Sequence, residues 1–184
     1  MNFEPVLNGN GDVELLPENI AFIAHLIGWE EHSVGGKRFV VTPPSRLTGA
    51  KQSYGASSED CWLRINQNDV LNDDDGANLC IKYMTANKRG KIIEERSPFL
   101  GGPARIRVEL NHLTLEGELP VNNVKIMSFA GQTYNEAVFK AFIASAIIIR
   151  ESAETIQKLQ FAVFTNSIPT TIGEITVDDE TNAG

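Results

Sequence analysis

The residue types that most often perform chemistry in proteins are scattered along this sequence. The three histidines, His25, His32 and His112, lie far apart, and none falls in a metal-ligand or general-base motif. Adjacent acidic residues form three pairs, Glu30-Glu31, Glu59-Asp60 and Glu94-Glu95. Neighbours on a strand point to opposite faces, and adjacent acidic residues in loops are usually solvated, so neither arrangement favours a metal site or a glycosidase site. We therefore predict a non-enzymatic protein with no cofactor and no metal site.

The two cysteines, Cys61 and Cys80, lie in apolar stretches and form no C-x-x-C motif or Cys/His cluster. An unpaired cysteine behaves as a small hydrophobic residue, so we expect buried free thiols. The alternative is a disulfide between neighbouring strands, which would require an oxidising compartment. The sequence shows no apolar run long enough to span a membrane and no signal peptide, and we expect a cytosolic origin.

The net charge of the 184-residue chain is −8, which at first argues against a polyanionic partner. Half of this charge comes from four carboxylates in the last eleven residues, and three more form a loop cluster at Asp73, Asp74 and Asp75. The four tail residues are Glu174, Asp178, Asp179 and Glu180. The rest of the chain is therefore less acidic than the net charge of the whole chain implies.

Turn residues near the N-terminus predict a β-hairpin over residues 3–16. The sequence Asn8-Gly9-Asn10-Gly11 lies between two apolar stretches, and Asn-Gly pairs accept positive φ angles readily. Pro5 would remove a backbone donor, which favours an edge strand. The next segment, Ile20–Trp29, fits either a helix or a strand because it is short and Gly28 interrupts it.

Strand-like segments then follow one another, and helical segments come last. The predicted strands are residues 37–42, 61–67, 78–84, 91–94, 104–110, 113–119 and 124–129. Strands first and helices last predict an α+β fold, with helices packed on one face of an antiparallel sheet. We place a single domain at 1–166, with the sheet at about 37–129, helices at about 133–161, and an acidic tail at 167–184.

The segment Thr133–Ile149 predicts a capped helix that is apolar on almost every side. Thr133 and Glu136 have the spacing of a capping box, and the residues behind them leave little polar surface. Such a helix must be covered on more than one side, and a second copy of the chain is one source of cover. We therefore predict a dimer interface at Phe139, Phe142, Ile143, Ala144 and Ile147.

Alternation along the predicted strands separates an apolar face from a face that carries cationic side chains. A sheet face with Arg, Lys, Asn and an aromatic ring suits RNA, because bases stack on the ring and cations hold phosphates. The predicted RNA-binding residues are Arg38, Val40, Thr42, Trp62, Arg64, Asn66, Lys82, Arg105 and Arg107. The alternative is that these residues form only the solvated face of an antiparallel sheet.

Three segments, in order along the chain, resemble the coat proteins of the single-stranded RNA bacteriophages, the levivirus group. They are NFEPVLNGNGDVELLPEN at 2–19, KRFVVTPPSR at 37–46, and VKIMSFAGQTYNEAVFKAFIASAIIIRESAETIQKLQF at 124–161. The first resembles the opening hairpin of that family, the second its basic strand, and the third its last strand and C-terminal helices. The chain is longer than typical members, with the excess around 51–103 and in the tail.

The resemblance implies a capsid subunit of a virion that assembles in the bacterial host cytoplasm. Its helices would lie over the sheet of a partner in an intertwined homodimer, and the dimers would build a closed shell. The other sheet face would contact single-stranded genomic RNA, including a translational operator hairpin. A rival hypothesis from the acidic charge is a non-enzymatic phage or plasmid accessory protein that binds a host protein.

Overall fold

The computed structural model describes residues 3–44, 49–56, 61–86, 89–96, 102–116 and 119–166. Within these ranges the chain forms two three-stranded antiparallel sheets, four α-helices and a short 3-10 helix. The predicted α+β class is therefore confirmed. The predicted acidic tail at 167–184 lies outside the described residues.

The N-terminal segment forms the predicted turn but not the predicted strands. The Asn8 side-chain oxygen accepts hydrogen bonds from the backbone N–H groups of Asn10 and Asp12 at 3.0 and 2.7 Å. Residues 3–16 contain no strand, so the hairpin prediction is wrong beyond its turn. Instead of a ladder, the buried amide of Asn19 bonds to both backbone groups of Val6 and to the carbonyl of Glu14.

Helix α1 (Pro17–Leu26) settles the ambiguity of the segment Ile20–Trp29. A proline in the first turn favours a helix start, since its missing N–H would have no partner there. Ile20, Ile23 and Ala24 are buried at helical spacing. The chain leaves the helix at Gly28, whose φ of 93° is a conformation that favours glycine.

The first sheet consists of β1 (Glu30–Val34), β2 (Lys37–Val41) and β3 (Ser53–Ala56), with β2 in the centre. Val34 pairs with Lys37 across a two-residue turn. Both turn residues, Gly35 and Gly36, have positive φ, as a tight hairpin of this kind requires. All five residues of β1 are exposed.

The middle of the chain is helical where strands were predicted. Residues 61–67 and 78–84 fall in a 3-10 helix (Cys61–Arg64), α2 (Gln67–Leu71) and α3 (Asp74–Thr85). The side chains of Asn66 and Asp73 cap α2 and α3 by accepting backbone hydrogen bonds. In α3 the buried residues Ala77, Cys80 and Met84 follow the helical period of three and four. Over such short runs, helical and strand periods both fit, and the caps decide between them.

The second sheet consists of β4 (Gly90–Arg96), β5 (Ala104–Glu116) and β6 (Leu119–Gly131), with β5 in the centre. The predicted alternation of β5 is confirmed, because Ile106, Val108 and Leu110 are fully buried while Arg105 and Arg107 are exposed. The strands predicted at 104–110 and 113–119 largely merge into one long strand. β4 contains a bulge between Ile92 and Glu94.

Helix α4 (Tyr134–Asn166) is one continuous helix of 33 residues. One half of its predicted capping box is present, since the Glu136 N–H donates to the Thr133 hydroxyl at 3.1 Å. The Glu136 carboxylate accepts from the Gln132 N–H at 2.8 Å, one residue before the Thr133 N–H that a capping box would use. Burial raises the pKa of Glu136, but hydrogen bonds from Lys140 and Gln132 outweigh it and hold the pKa below the ordinary value. The carboxylate therefore stays charged at the positive end of the helix.

The five residues predicted to form a dimer interface on α4 are buried by their own chain. Phe139 and Ile143 are fully buried, and the exposed fractions of Phe142, Ala144 and Ile147 do not exceed 7%. Helix α4 packs on β5, β6 and α3, and the Phe142 ring stacks on Phe22 of α1 with ring centres 5.8 Å apart. A second copy is therefore not needed to cover these residues. Helix α3, which lies in the central segment 51–103, covers part of α4.

Candidate nucleic-acid interface

One face of the second sheet is not covered by any helix of the described residues. The register places Arg105, Arg107 and Glu109 of β5 on the face opposite the buried residues Ile106, Val108 and Leu110. We call this surface the open face. Its described members are Lys91, Arg105, Arg107, Glu109, Asn111, Leu113 and Leu115, with Pro120, Asn122, Val124, Ile126, Ser128 and Ala130 of β6.

The open face is enriched in cationic positions although the whole chain is acidic. Lys91, Arg105 and Arg107 are all exposed, and no ion-pair partner is found for them among the described side chains. The register places one acidic residue among them, Glu109 opposite Lys91. Among the described side chains, three cations and one carboxylate give this face a positive balance in a chain whose net charge is −8.

The structure does not bring the other predicted RNA-binding residues to this face. Arg38 lies in the first sheet, where its guanidinium donates two hydrogen bonds to the Glu31 carboxylate at 2.5 and 2.8 Å. Val40 is fully buried in the same strand, and Thr42 follows it. The prediction of one shared sheet face is therefore wrong for these three residues.

Trp62, Arg64, Asn66 and Lys82 lie in the helical middle segment. Trp62 is only 2% exposed and its indole N–H donates to Glu31, so it is not a platform for stacking bases. Arg64 and Lys82 are exposed on the 3-10 helix and on α3, and Asn66 caps α2. The strand assignment that joined these residues to Arg105 and Arg107 is wrong, because they lie in short helices or, for Asn66, at a helix cap.

The open face offers hydrogen bonds and positive charge but no aromatic ring among its described residues. Ser128 lies directly opposite Arg107, and Asn122 opposite Leu113. Arg forms paired hydrogen bonds with phosphate oxygens, and Ser and Asn side chains add neutral ones. This surface can bind a phosphate backbone, whereas base stacking, which was expected from Trp62, has no group to support it there. Lys91 was missed because the bulge in β4 obscures which way its side chains alternate.

Strand β6 forms one edge of the second sheet along its full length of 13 residues. In the described part of the chain, no strand pairs with its outer side. Large apolar side chains are exposed beside this edge: Leu119 at 71%, Val124 at 56% and Ile126 at 51%. A long edge with exposed apolar side chains is unusual in a monomer because it offers a row of backbone partners to another strand. Pro120 and the exposed Lys125 are the features of β6 that oppose such pairing.

No protein-family model, curated protein or solved structure matches the chain. Within the described residues, no three or more His, Cys, Asp or Glu side chains are grouped as metal ligands, and no helix is both long and apolar enough to cross a membrane.

Cys61 and Cys80 are buried free thiols. Burial, with the nearby Asp73 charge, raises the pKa of the Cys80 thiol to about 12, which disfavours its reactive thiolate form.

Proposed function

We propose that the protein is a structural subunit that self-assembles through the outer edge of β6 and binds RNA phosphates on the open face. This is the role of a coat protein of the single-stranded RNA bacteriophages, the group that the sequence resembles. The observation that carries the proposal is the unpaired edge of β6, where Val124 and Ile126 are exposed on the open face of the same sheet. Assembly and RNA binding would then use adjoining surfaces.

Pairing of β6 with β6 of a second copy is the simplest contact that this edge permits. Antiparallel pairing about a two-fold axis would join two three-stranded sheets into one of six strands, with each copy using the same residues. Thirteen residues span roughly 43 Å at about 3.3 Å per residue. The contact would cover part of Val124 and Ile126 and satisfy the open backbone groups. The intertwined helix packing expected from the sequence is not needed for this dimer.

The dimer would also combine the cationic open faces of two copies. Each cation that contacts a phosphate releases condensed counterions, so several modest contacts add up to useful affinity at low salt. A continuous sheet surface also suits a ligand that extends along its backbone. RNA is favoured over a folded acidic protein because Lys91, Arg105 and Arg107 are spread over two neighbouring strands rather than gathered in a pocket.

The proposal is tested by expressing the chain alone in bacteria and examining the purified material by electron microscopy. We expect closed particles of uniform size that retain host RNA. A monomer that stays soluble and free of RNA at high concentration would overturn the proposal. That result would instead favour an acidic accessory protein that binds a host protein.

A further inference from the structure

The acidic tail, residues 167–184, follows α4, and the direction of α4 fixes the place from which the tail starts. The helix begins three residues after β6 ends, beside the start of β5. Further along α4, the Ser152 hydroxyl accepts a hydrogen bond at 3.1 Å from the backbone N–H of Leu113. Helix α4 therefore runs in the same direction as β5, toward the end of the sheet at which Glu116 pairs with Leu119.

The last part of α4 carries the chain past that end of the sheet. Fourteen residues of α4 follow Ser152, a rise of roughly 21 Å at about 1.5 Å per residue. Only three residues of β5 follow Leu113, and they span roughly 10 Å at about 3.3 Å per residue. The tail therefore starts roughly 11 Å beyond the paired ends of β5 and β6, on the helix side of the sheet.

From this end of the sheet, the open face presents apolar side chains first and cations further along. Leu115 is 40% exposed, and Val124 and Ile126 follow with exposed fractions of 56% and 51%. The cations are Lys91, at the level of Ile126, and then Arg107 and Arg105. The acidic tail would meet the apolar part of this face before the cationic part.

The acidic tail carries the same two kinds of side chain in the same order. Its first eleven residues contain a single carboxylate, Glu174, and four large apolar side chains, Ile168, Ile172, Ile175 and Val177. Three consecutive carboxylates follow at 178–180, and the tail contains no Lys or Arg. A tail that turns back over the open face thus sets apolar residues against apolar residues and carboxylates against cations.

The length of the tail fits this path. The chain must return roughly 11 Å to the sheet, cross roughly 10 Å from the helix layer, and follow β5 for roughly 23 Å to the level of Lys91. This path is roughly 44 Å long. Residues 178–180 lie twelve to fourteen residues past Asn166, which is roughly 40–46 Å of extended chain.

We infer that the acidic tail folds back onto the open face of its own chain, with the carboxylates at 178–180 beside Lys91 and Arg107. An exposed ion pair contributes little alone, but attachment to the same chain gives the tail an effective concentration on the order of millimolar. The bound tail occupies the cations that would hold phosphates, so RNA must displace it. The contact itself does not rest on the proposed function, whereas its competition with RNA does.

The contact is tested on the 184-residue chain with a carbodiimide, which couples a lysine amine to a carboxylate in contact with it. We expect mass spectrometry to find Lys91 joined to residues 178–180 at low salt. Lys125 is the matched control, because it is exposed at nearly the same level of the sheet but on the opposite face. A mixture of unlabelled and 15N-labelled protein shows whether each link lies within one chain.

Replacing Arg105 and Arg107 together with Ser should lower the yield of the Lys91 link by about two- to tenfold, through the loss of exposed ion pairs. Replacing Lys37 and Lys82 with Ser, which are exposed cations elsewhere, should leave the yield unchanged.

Competition is measured by the RNA affinity of two triple variants that lose the same charge. The tail variant, Asp178→Asn with Asp179→Asn and Glu180→Gln, should bind single-stranded RNA severalfold more tightly than the control. The control replaces three exposed carboxylates elsewhere with amides, at Asp12, Glu18 and Glu30.

Absence of the Lys91 link, an equally efficient Lys125 link, or links only between chains would overturn the inference. An unchanged yield in the arginine variant would also overturn it, because the cations would then not hold the tail. If the Lys91 link forms as expected but both triple variants bind RNA equally, the tail contact stands and the RNA-binding role proposed for the open face fails.

Discussion

At the residue scale, Asn19 determines how the N-terminal segment is attached to the fold. Its side chain is fully buried and makes three hydrogen bonds, of 2.7 to 2.9 Å, to the backbone of Val6 and Glu14. No local ladder holds residues 3–16, so this amide takes the place of strand pairing. Asn19 ends the segment 2–19 that resembles the family's opening hairpin, but nothing in the sequence indicates that its side chain points back at the preceding residues.

We predict that Asn19→Ala lowers the free energy of unfolding by roughly 2–3 kcal/mol, because it leaves backbone groups near Val6 without partners. Asn10→Ala, in the exposed turn of the same segment, is the matched control and should change stability little. Urea denaturation of both variants measures the difference. Equal midpoints for the two variants would show that Asn19 does not anchor the segment.

A second residue-scale prediction concerns Glu31 and pH. Hydrogen bonds from Arg38 and Trp62 lower the pKa of this carboxyl in the folded protein. A lowered folded-state pKa contributes stability above the ordinary carboxyl value of 4.5, and that contribution is lost as the pH falls through the folded-state pKa. Glu31→Gln should therefore be less stable than the parent at neutral pH, and this difference in stability should disappear in acid.

Thermal unfolding of Glu31→Gln and of the parent, from neutral pH into acid, measures this difference in stability. Glu116→Gln, which removes an exposed carboxylate of β5, serves as the control. A gap that stays constant with pH would mean that Glu31 stabilises the fold through packing and not through its charge.

At the element scale, the sequence predicted those elements whose signals are local. The Thr133–Glu136 cap, the turn at Asn8 and the alternation of β5 each depend on neighbouring residues, and all three are present. The sequence did not predict the helices at 67–85, because short apolar runs fit both periods and because Asn66 and Asp73 are residue types found in turns as often as at helix caps. The cover of α4 depends on contacts with α1 and α3, and no local pattern reports such contacts.

The edge of β6 gives an element-scale prediction. Ile126→Lys places a charge beside this edge, and natural sheets use lysine in this way to block edge pairing. We expect the variant to remain folded and to lose self-association. Ile93→Lys is the matched control, because Ile93 is an exposed isoleucine on β4, at the other edge of the same sheet. Analytical size-exclusion chromatography distinguishes the two, and loss of assembly in both variants or in neither would contradict the role of β6.

At the scale of the whole molecule, the fold places positive and negative side chains on different surfaces, and the net charge of −8 does not show this separation. The open face carries cations on two neighbouring strands, whereas Asp73, Asp74 and Asp75 are gathered at the start of α3. The sequence showed that Arg105 and Arg107 share a strand face, and that placement is correct. It did not show that Arg38 belongs to a different sheet, because sheet membership is set by long-range pairing.

The open face predicts a salt-dependent affinity for RNA. Replacing Arg105 and Arg107 together with Ser should reduce the slope of log affinity against log salt by about one to two units, given that each phosphate contact contributes about 0.7 on a single strand. Lys37 and Lys82 are exposed cations elsewhere, and their double replacement with Ser is the control. Filter binding of single-stranded RNA over a salt series measures the slope. An unchanged slope in the arginine variant would mean that the open face is only solvated.

The central claim, assembly of an RNA-containing particle, is tested most directly by sedimentation velocity of the purified protein recorded at both 260 and 280 nm. The account predicts one fast, homogeneous boundary whose absorbance at 260 nm exceeds that at 280 nm, as nucleic acid inside a uniform particle would give. A single slow boundary at the mass of the 20.2 kDa chain, with the absorbance ratio of protein alone, would contradict it.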